Sequence, residues 1–145
     1  MPVAEDPNRP EFYTYHFVAD GVTFYVGHGR AGRAPMRRSH VRGLVRNGKI
    51  SNSDLSKRVF AALDRAGCDL KLAYVAWDLI KAEAGAREIA EIGRLVALGA
   101  VLANVSHNRR APRSCEAVVE WVLAQRRRRP AIFGPASPRF VDWTS

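Results

Sequence analysis

Two tyrosines, a run of arginines and two carboxylates on an apolar helical face are the side chains of this chain best suited to chemistry. Tyr15 stands in Phe12-Tyr13-Thr14-Tyr15-His16-Phe17-Val18, and Tyr25 in Val22-Thr23-Phe24-Tyr25-Val26-Gly27-His28-Gly29-Arg30. A phenol donates and accepts hydrogen bonds, and a guanidinium stays charged while forking onto two phosphate oxygens. Arg30, Arg33, Arg37, Arg38, Arg42 and Arg46 follow closely, and residues 21–53 contain no acidic residue. A solvated helix face normally mixes both signs, so this stretch reads as a surface that meets phosphates. Two phenols beside a guanidinium cluster suit a phosphodiester.

The carboxylates come later. Plotted at about 100° per residue, Ile80, Ala84, Ile89, Ile92, Leu95, Val96 and Leu98 make one broad apolar face, with Glu83, Arg87 and Arg94 on the opposite arc. Glu88 and Glu91 intrude on the apolar face. A carboxylate there is costly unless it is paired, hydrogen-bonded or bound to metal. The two readings are a salt bridge to one of the many arginines and a cation site.

The elements that must position these groups are legible from pattern. Both tyrosine stretches are aromatic and β-branched, and Asp20-Gly21 between them is a hairpin signal, because a primed turn needs positive φ at its centre. Gly27-His28-Gly29 is expected to end the second strand in backbone that comes close to a ligand. Residues 34–46 set Val41, Leu44 and Val45 among arginines, which predicts a helix with one basic face, ended by Asn47-Gly48. Residues 51–54 read as an N-cap for a helix buried through Leu55, Val59, Phe60 and Leu63 and stopped by Gly67. Leu70, Leu72, Tyr74 and Val75 suggest a third strand, and residues 79–98 a long helix stopped by Gly99. A short extended or turning segment over 101–105 and a basic connector with Arg109, Arg110 and Arg113 lead to a last amphipathic helix over 114–128. The tail carries Ile132, Phe133, Phe140 and Trp143 and is expected to pack on the body. This order is not the alternation of a doubly wound sheet; it predicts an α+β fold, a small sheet covered by helices.

A chain of 145 residues, 47% hydrophobic, is long enough to bury a single core. The net charge of +9 and pI of 10.4 point to a polyanionic partner, nucleic acid before membrane. No apolar run is long enough to span a bilayer, so no membrane role is expected. Residues 1–10 are polar and proline-rich, unlike a signal peptide, and read as a flexible arm. Cys68 and Cys115 have neither metal-ligand spacing nor a disulfide-framework pattern, which suits reduced structural residues and a cytoplasmic protein. No serine or cysteine nucleophile has an evident partner, and Gly27-His28-Gly29 lacks the Gly-Lys-Ser/Thr of a nucleotide-binding loop.

Residues 12–108 resemble the GIY-YIG nuclease family. Tyr13-Thr14-Tyr15 stands where the family has Gly-Ile-Tyr, Tyr25-Val26-Gly27 where it has Tyr-Ile-Gly, and nine residues separate Tyr15 from Tyr25. The resemblance implies a three-stranded antiparallel sheet flanked by helices, with the active site on the sheet's face. It implies a nuclease core over 11–108, preceded by the arm and followed by a basic helix and tail over 109–145. It also implies a DNA endonuclease that uses magnesium or manganese, with RNA left open as substrate and targeting left to a protein partner or a dimer. Carried over residue by residue, Tyr15 activates water with support from Tyr25, Arg33 stabilises the charge developing on phosphate, and His40 is the nearby histidine. Arg37 competes with Arg33, because the family often sets histidine one helical turn after the arginine and Arg37 stands there. Glu91 is the expected metal ligand from its spacing before Gly99 and Asn104, with Glu88 one turn earlier as the alternative. His28, Arg30, Arg37, Arg38, Arg42, Arg46 and Asn104 would contact or position nucleic acid. The runner-up function is a non-catalytic basic nucleic-acid-binding module of the same fold; a third, a structural subunit of a nucleoprotein complex, rests on charge and size alone.

Replacing Arg38 and Arg42 by Ala is expected to weaken binding to DNA of every sequence. The slope of log affinity against log salt should fall by about 0.9 for each phosphate no longer neutralised. Anisotropy titrations across a salt series measure it, and an unchanged slope would turn this face away from the nucleic acid.

Overall fold

A computed structural model of the chain describes residues 6–30, 55–125 and 130–141. The helix expected over 34–46 and the N-cap expected at 51–54 lie outside the described residues. Strands β1 (Phe12–Ala19) and β2 (Val22–Arg30) form the hairpin. Its turn has positive φ at both Asp20 (48°) and Gly21 (87°), as a type I′ turn requires. The turn is tied to the start of β3 (Leu70–Leu79): the Asp69 N–H donates to Asp20 Oδ1, and the Asp20 N–H donates to the Asp69 carbonyl, both at 3.0 Å.

The sheet is antiparallel throughout, in the order β2-β1-β3-β4. The fold is α+β as expected, but the sheet has four strands among the described residues rather than three. The fourth, β4 (Arg139–Val141), comes from the tail, whose backbone pairs with Leu72–Tyr74 on the edge that β3 leaves open. An unpaired strand edge is a liability, and a three-residue strand with exposed Arg139 is enough to blunt it.

Three α-helices pack on the sheet among the described residues: α1 (Leu55–Arg65), α2 (Lys81–Ala97) and α3 (Cys115–Gln125). Successive strand side chains face opposite ways. Phe17 points to one face, where its ring meets Phe60 of α1 edge-on at 5.7 Å. Val59, Phe60 and Leu63 there join Phe24, Val118 and Val122 in the larger core. His16 and Thr14 point to the other face, under α2; the Thr14 hydroxyl donates to the Ala84 carbonyl at 2.8 Å. Ile92, Leu95 and Val96 of α2 bury against Val26 and Leu102 in a second cluster. Each such side chain contributes roughly 1.5–3 kcal/mol by leaving water. Ile89 and Leu98, expected on the buried face, are exposed at its margins.

Local chemistry bounds α2 at both ends. The Glu83 carboxylate accepts the Ile80 N–H at 3.0 Å, half of a capping box. At the far end Gly99 (φ 99°), the expected stop, closes a Schellman motif, with the Ala100 N–H on the Leu95 carbonyl and the Gly99 N–H on the Val96 carbonyl, both at 3.0 Å. The expected flexible arm is anchored within its described part: the Lys81 N–H donates to the Pro7 carbonyl at 2.9 Å. Cys68 and Cys115 are free thiols, both buried. Among the described residues no helix is long and apolar enough to cross a membrane.

The β1–β2 register gives the two strand glycines a different purpose from the expected one. Tyr15 pairs with Gly27 and Tyr13 with Gly29, and each ring lies across its glycine. A Cβ on Gly27 would sit 2.5 Å from the Tyr15 hydroxyl oxygen, and one on Gly29 would sit 3.0 Å from that of Tyr13. Neither glycine has positive φ. They make room for phenols rather than for a ligand.

Gly27→Ala is therefore expected to destabilise by about 1–3 kcal/mol through overpacking. Adding Tyr15→Ala should recover part of that loss, so the double variant is more stable than the sum of the singles by over about 0.5 kcal/mol. Denaturant titration reads both; strict additivity would mean the ring moves aside at no cost.

Candidate active site

A cleft of about 210 Å³ opens where the outer edge of β2 meets α2 and the segment after it. Tyr25, Glu88, Asn104 and Ser106 line it, with Leu55 and Ser56 of α1 on the opposite wall. The segment is clamped to β2 by side-chain and main-chain bonds. Asn104 Oδ1 accepts the Val26 N–H at 2.9 Å and Asn104 Nδ2 donates to the Val26 carbonyl at 2.7 Å. The Ala103 N–H donates to the Phe24 carbonyl at 2.7 Å. Asn104 thus imitates a neighbouring strand on the open edge of β2. It was expected to meet nucleic acid, but it is buried, and both ends of its amide are spent on β2. It shapes the cleft; Asn108 supports it from behind, its Nδ2 donating to the Asn104 carbonyl at 2.8 Å.

The two helix glutamates separate in role. Glu91, expected to hold metal, is 5% exposed and sealed between sheet and helix. Its Oε2 accepts from Arg94 Nε at 2.9 Å, and its Oε1 lies 3.3 Å from His16 Nε2. Burial pushes the Glu91 carboxyl up, but the adjacent His16 and the bonded Arg94 outweigh it and hold the group at about 2. Glu88 instead lines the cleft. Its partner among the described residues is His28, with Nδ1 at 3.2 Å from Oε2. His28 was expected at phosphate; here it steadies a carboxylate.

Nothing in the sequence pattern singles out His16, yet it is fully buried. Its Nδ1 is 2.8 Å from Thr23 Oγ1. Thr23 donating to Nδ1 and Nε2–H facing Glu91 describe a neutral imidazole. Burial lowers the His16 pKa, partly offset by Glu91. The sequence held one signal for this network: Glu91 and Arg94 stand at i,i+3, a spacing that pairs on a helix.

The phenols gather on the face opposite α2. Ring centroids are 6.3 Å apart for Tyr15 and Tyr25, 5.9 Å for Tyr13 and Tyr15, and 4.3 Å for Tyr13 and Tyr74. Burial raises the pKa of Tyr15 far above its ordinary value, and the neighbouring Tyr25, Tyr13 and Glu88 push the same way. Tyr25 is raised by burial and by Glu88. Both remain protonated donors at neutral pH. Arg30 sits 3.8 Å from Glu11 in a partly exposed ion pair. Arg33, Arg37, Arg38, His40, Arg42 and Arg46 lie outside the described residues. No family model, curated protein or solved structure matches the chain.

Glu91→Gln is expected to cost about 2 kcal/mol, because Arg94 loses a charge-assisted hydrogen bond and the neutral His16 imidazole loses a charged neighbour, and the thermal midpoint should drop by roughly 5–10 °C. Glu88→Gln, at the cleft wall, should move it by little. The folded pKa of Glu91 lies below that of the unfolded chain, and so does that of His16. Each therefore contributes stability at neutral pH that is lost on acidification, His16 from about pH 6.5 downward and Glu91 from about pH 4.5 toward 2. In Glu91→Gln the lower part of this acid limb should flatten. Equal midpoints for the two variants would overturn the assignment.

Proposed function

We propose that the protein is a metal-dependent endonuclease of the GIY-YIG type that hydrolyses phosphodiesters in DNA. The observation that carries this reading is the convergence of Tyr25, Glu88 and Asn104 on one cleft, with Tyr15 beside Tyr25. The basic charge of the whole chain supports the substrate class.

Glu88 replaces Glu91 as the metal ligand in this proposal. Its carboxylate faces open space, whereas that of Glu91 is occupied by Arg94 and His16. Among the described residues no three His, Cys, Asp or Glu side chains converge. One carboxylate still suits magnesium, which is commonly held by one or two carboxylates, water and substrate phosphate. A divalent cation bound there would offset the charge of Glu88 and polarise a phosphate oxygen.

The chain's own residues do the rest. His28 orients Glu88 through the bond between its Nδ1 and Oε2. Asn104 holds the cleft wall on β2, and Ser56 and Ser106 offer hydroxyls to phosphate oxygens. Tyr25 donates its phenolic hydrogen into the cleft. Tyr15 takes a proton from the attacking water only after losing its own, which burial opposes. A cationic neighbour would favour the phenolate, and Arg33 is the arginine proposed for that role and for the charge on phosphate. One observation favours the second reading, a nucleic-acid-binding module without cleavage: Tyr15 and Tyr25 are both held protonated.

Cleavage of plasmid DNA with magnesium tests the proposal. Glu88→Gln should abolish it while leaving metal-free DNA binding intact, and Tyr15→Phe should lower the rate by about 10²–10⁴-fold with the fold unchanged. Because Tyr15 must ionise from a raised pKa, the wild-type rate should climb about tenfold per pH unit through neutrality, without a plateau below about pH 10. A plateau near pH 7 would remove Tyr15 as the base, and no cleavage at any pH would leave the binding module.

A further inference from the structure

The cleft does not end at Glu88. A second, larger cavity of about 650 Å³ borders it, and the two share Leu55 and Val105 as a common wall. Its far side carries Arg58 of α1 together with Arg113 and Ser114, just before α3. Pro112, which fixes its own φ, precedes Arg113 and stiffens the connector.

The shape and chemistry of this cavity suit one class of ligand. Two arginines from different elements line the same space, and a guanidinium forks naturally onto phosphate oxygens. Ser114 caps α3, its Oγ accepting the Ala117 N–H at 3.1 Å, so the positive end of an eleven-residue helix opens on the same cavity. Among the described residues, Glu116 is the one carboxylate on the lining, against two arginines. Between the two cavities stands Val105, 62% exposed, an apolar ridge where a sugar or base edge can rest. A polyanionic strand crossing that ridge would have one phosphate at Glu88 and its neighbours among the arginines.

We propose that the cavity lined by Arg58, Arg113 and Ser114 is a second phosphate-binding subsite, which holds the DNA strand on one side of the scissile phosphodiester and fixes the direction in which the strand crosses the cleft. The inference rests on the endonuclease reading of the neighbouring cleft. Arg58 and Arg113 act as positioning residues: they touch flanking phosphates and leave the reacting atoms to Tyr15, Tyr25 and Glu88.

The test is metal-free binding of a short fluorescein-labelled DNA duplex, read by anisotropy across a salt series, followed by magnesium-dependent cleavage of the same duplex. Arg113→Gln lies in an exposed connector and should keep the wild-type thermal midpoint. It should weaken binding about five- to tenfold and lower the salt slope by about 0.9, the equivalent of one phosphate. Arg58→Gln should weaken binding and lower the salt slope by similar amounts. Arg139→Gln, on the far edge of the sheet, is the control for bulk charge and should change the slope much less. Truncating the duplex from one end should abolish the difference between wild type and Arg113→Gln; truncating from the other should leave it. In cleavage, Arg113→Gln should raise KM with kcat nearly unchanged, since a flanking interaction is made equally in ground and transition states. Equal losses for Arg113→Gln and Arg139→Gln, or a difference indifferent to which end is cut, would overturn the subsite. Failure of the endonuclease reading looks different: DNA would bind, with the Arg113 effect intact, but would not be cut. Absence of DNA binding by the wild type would overturn both.

Discussion

The rotation of α2 about its own axis is set by one buried carboxylate, and the cleft depends on that rotation. Glu91 is held from the sheet by His16 and from its own helix by Arg94, at 3.3 and 2.9 Å. A charge sealed at this depth is tolerated only with its partners in place, so the helix cannot turn without breaking the arrangement. Glu88 lies three residues earlier, about 60° around a helix of 3.6 residues per turn. Fixing Glu91 underneath therefore fixes Glu88 at the margin, within reach of His28 and the open space beside Tyr25. The apolar contacts of Ile92, Leu95 and Val96 supply most of the adhesion, but being non-directional they leave the helix freer to roll.

A second constraint acts from the strands. Tyr13 and Tyr15 lie across Gly29 and Gly27, which packs two large rings flat on the hairpin and excludes any side chain from those two positions of β2. The outer edge of β2 is then covered by backbone and by one amide, through Ala103 and Asn104. A strand edge closed by a loop instead of another strand leaves a gap where the loop turns away, and the cleft occupies that gap. β4 closes the opposite edge, so both sides of the sheet are protected by short, local means.

The cleft so built is electrostatically divided. Burial and Glu88 keep Tyr15 and Tyr25 protonated on one side, while Arg58 and Arg113 line the neighbouring cavity. On the proposed reading, this division would hold a polyanion along its length and act on it at one point. The apolar ridge of Val105 separates the two regions.

The elements were legible in local residue pattern. Asp20-Gly21 specified the hairpin turn because few residue pairs tolerate two positive φ angles, and Gly67 and Gly99 marked helix ends for the same reason. The apolar period placed α1, α2 and α3 to within a few residues, since burial of a stripe is a local property of the pattern. Tertiary structure alone decided which of two glutamates on one face was covered, because they differ by less than a turn and only the position of His16 on β1 tells them apart. It also decided that Gly27 and Gly29 serve tyrosine rings, which follows from cross-strand register, and that Asn104 is spent on β2, which follows from a bond spanning 78 residues. The fourth strand was hidden for a related reason: three residues in a proline- and glycine-rich tail carry almost no period, and only the open edge of β3 makes them a strand.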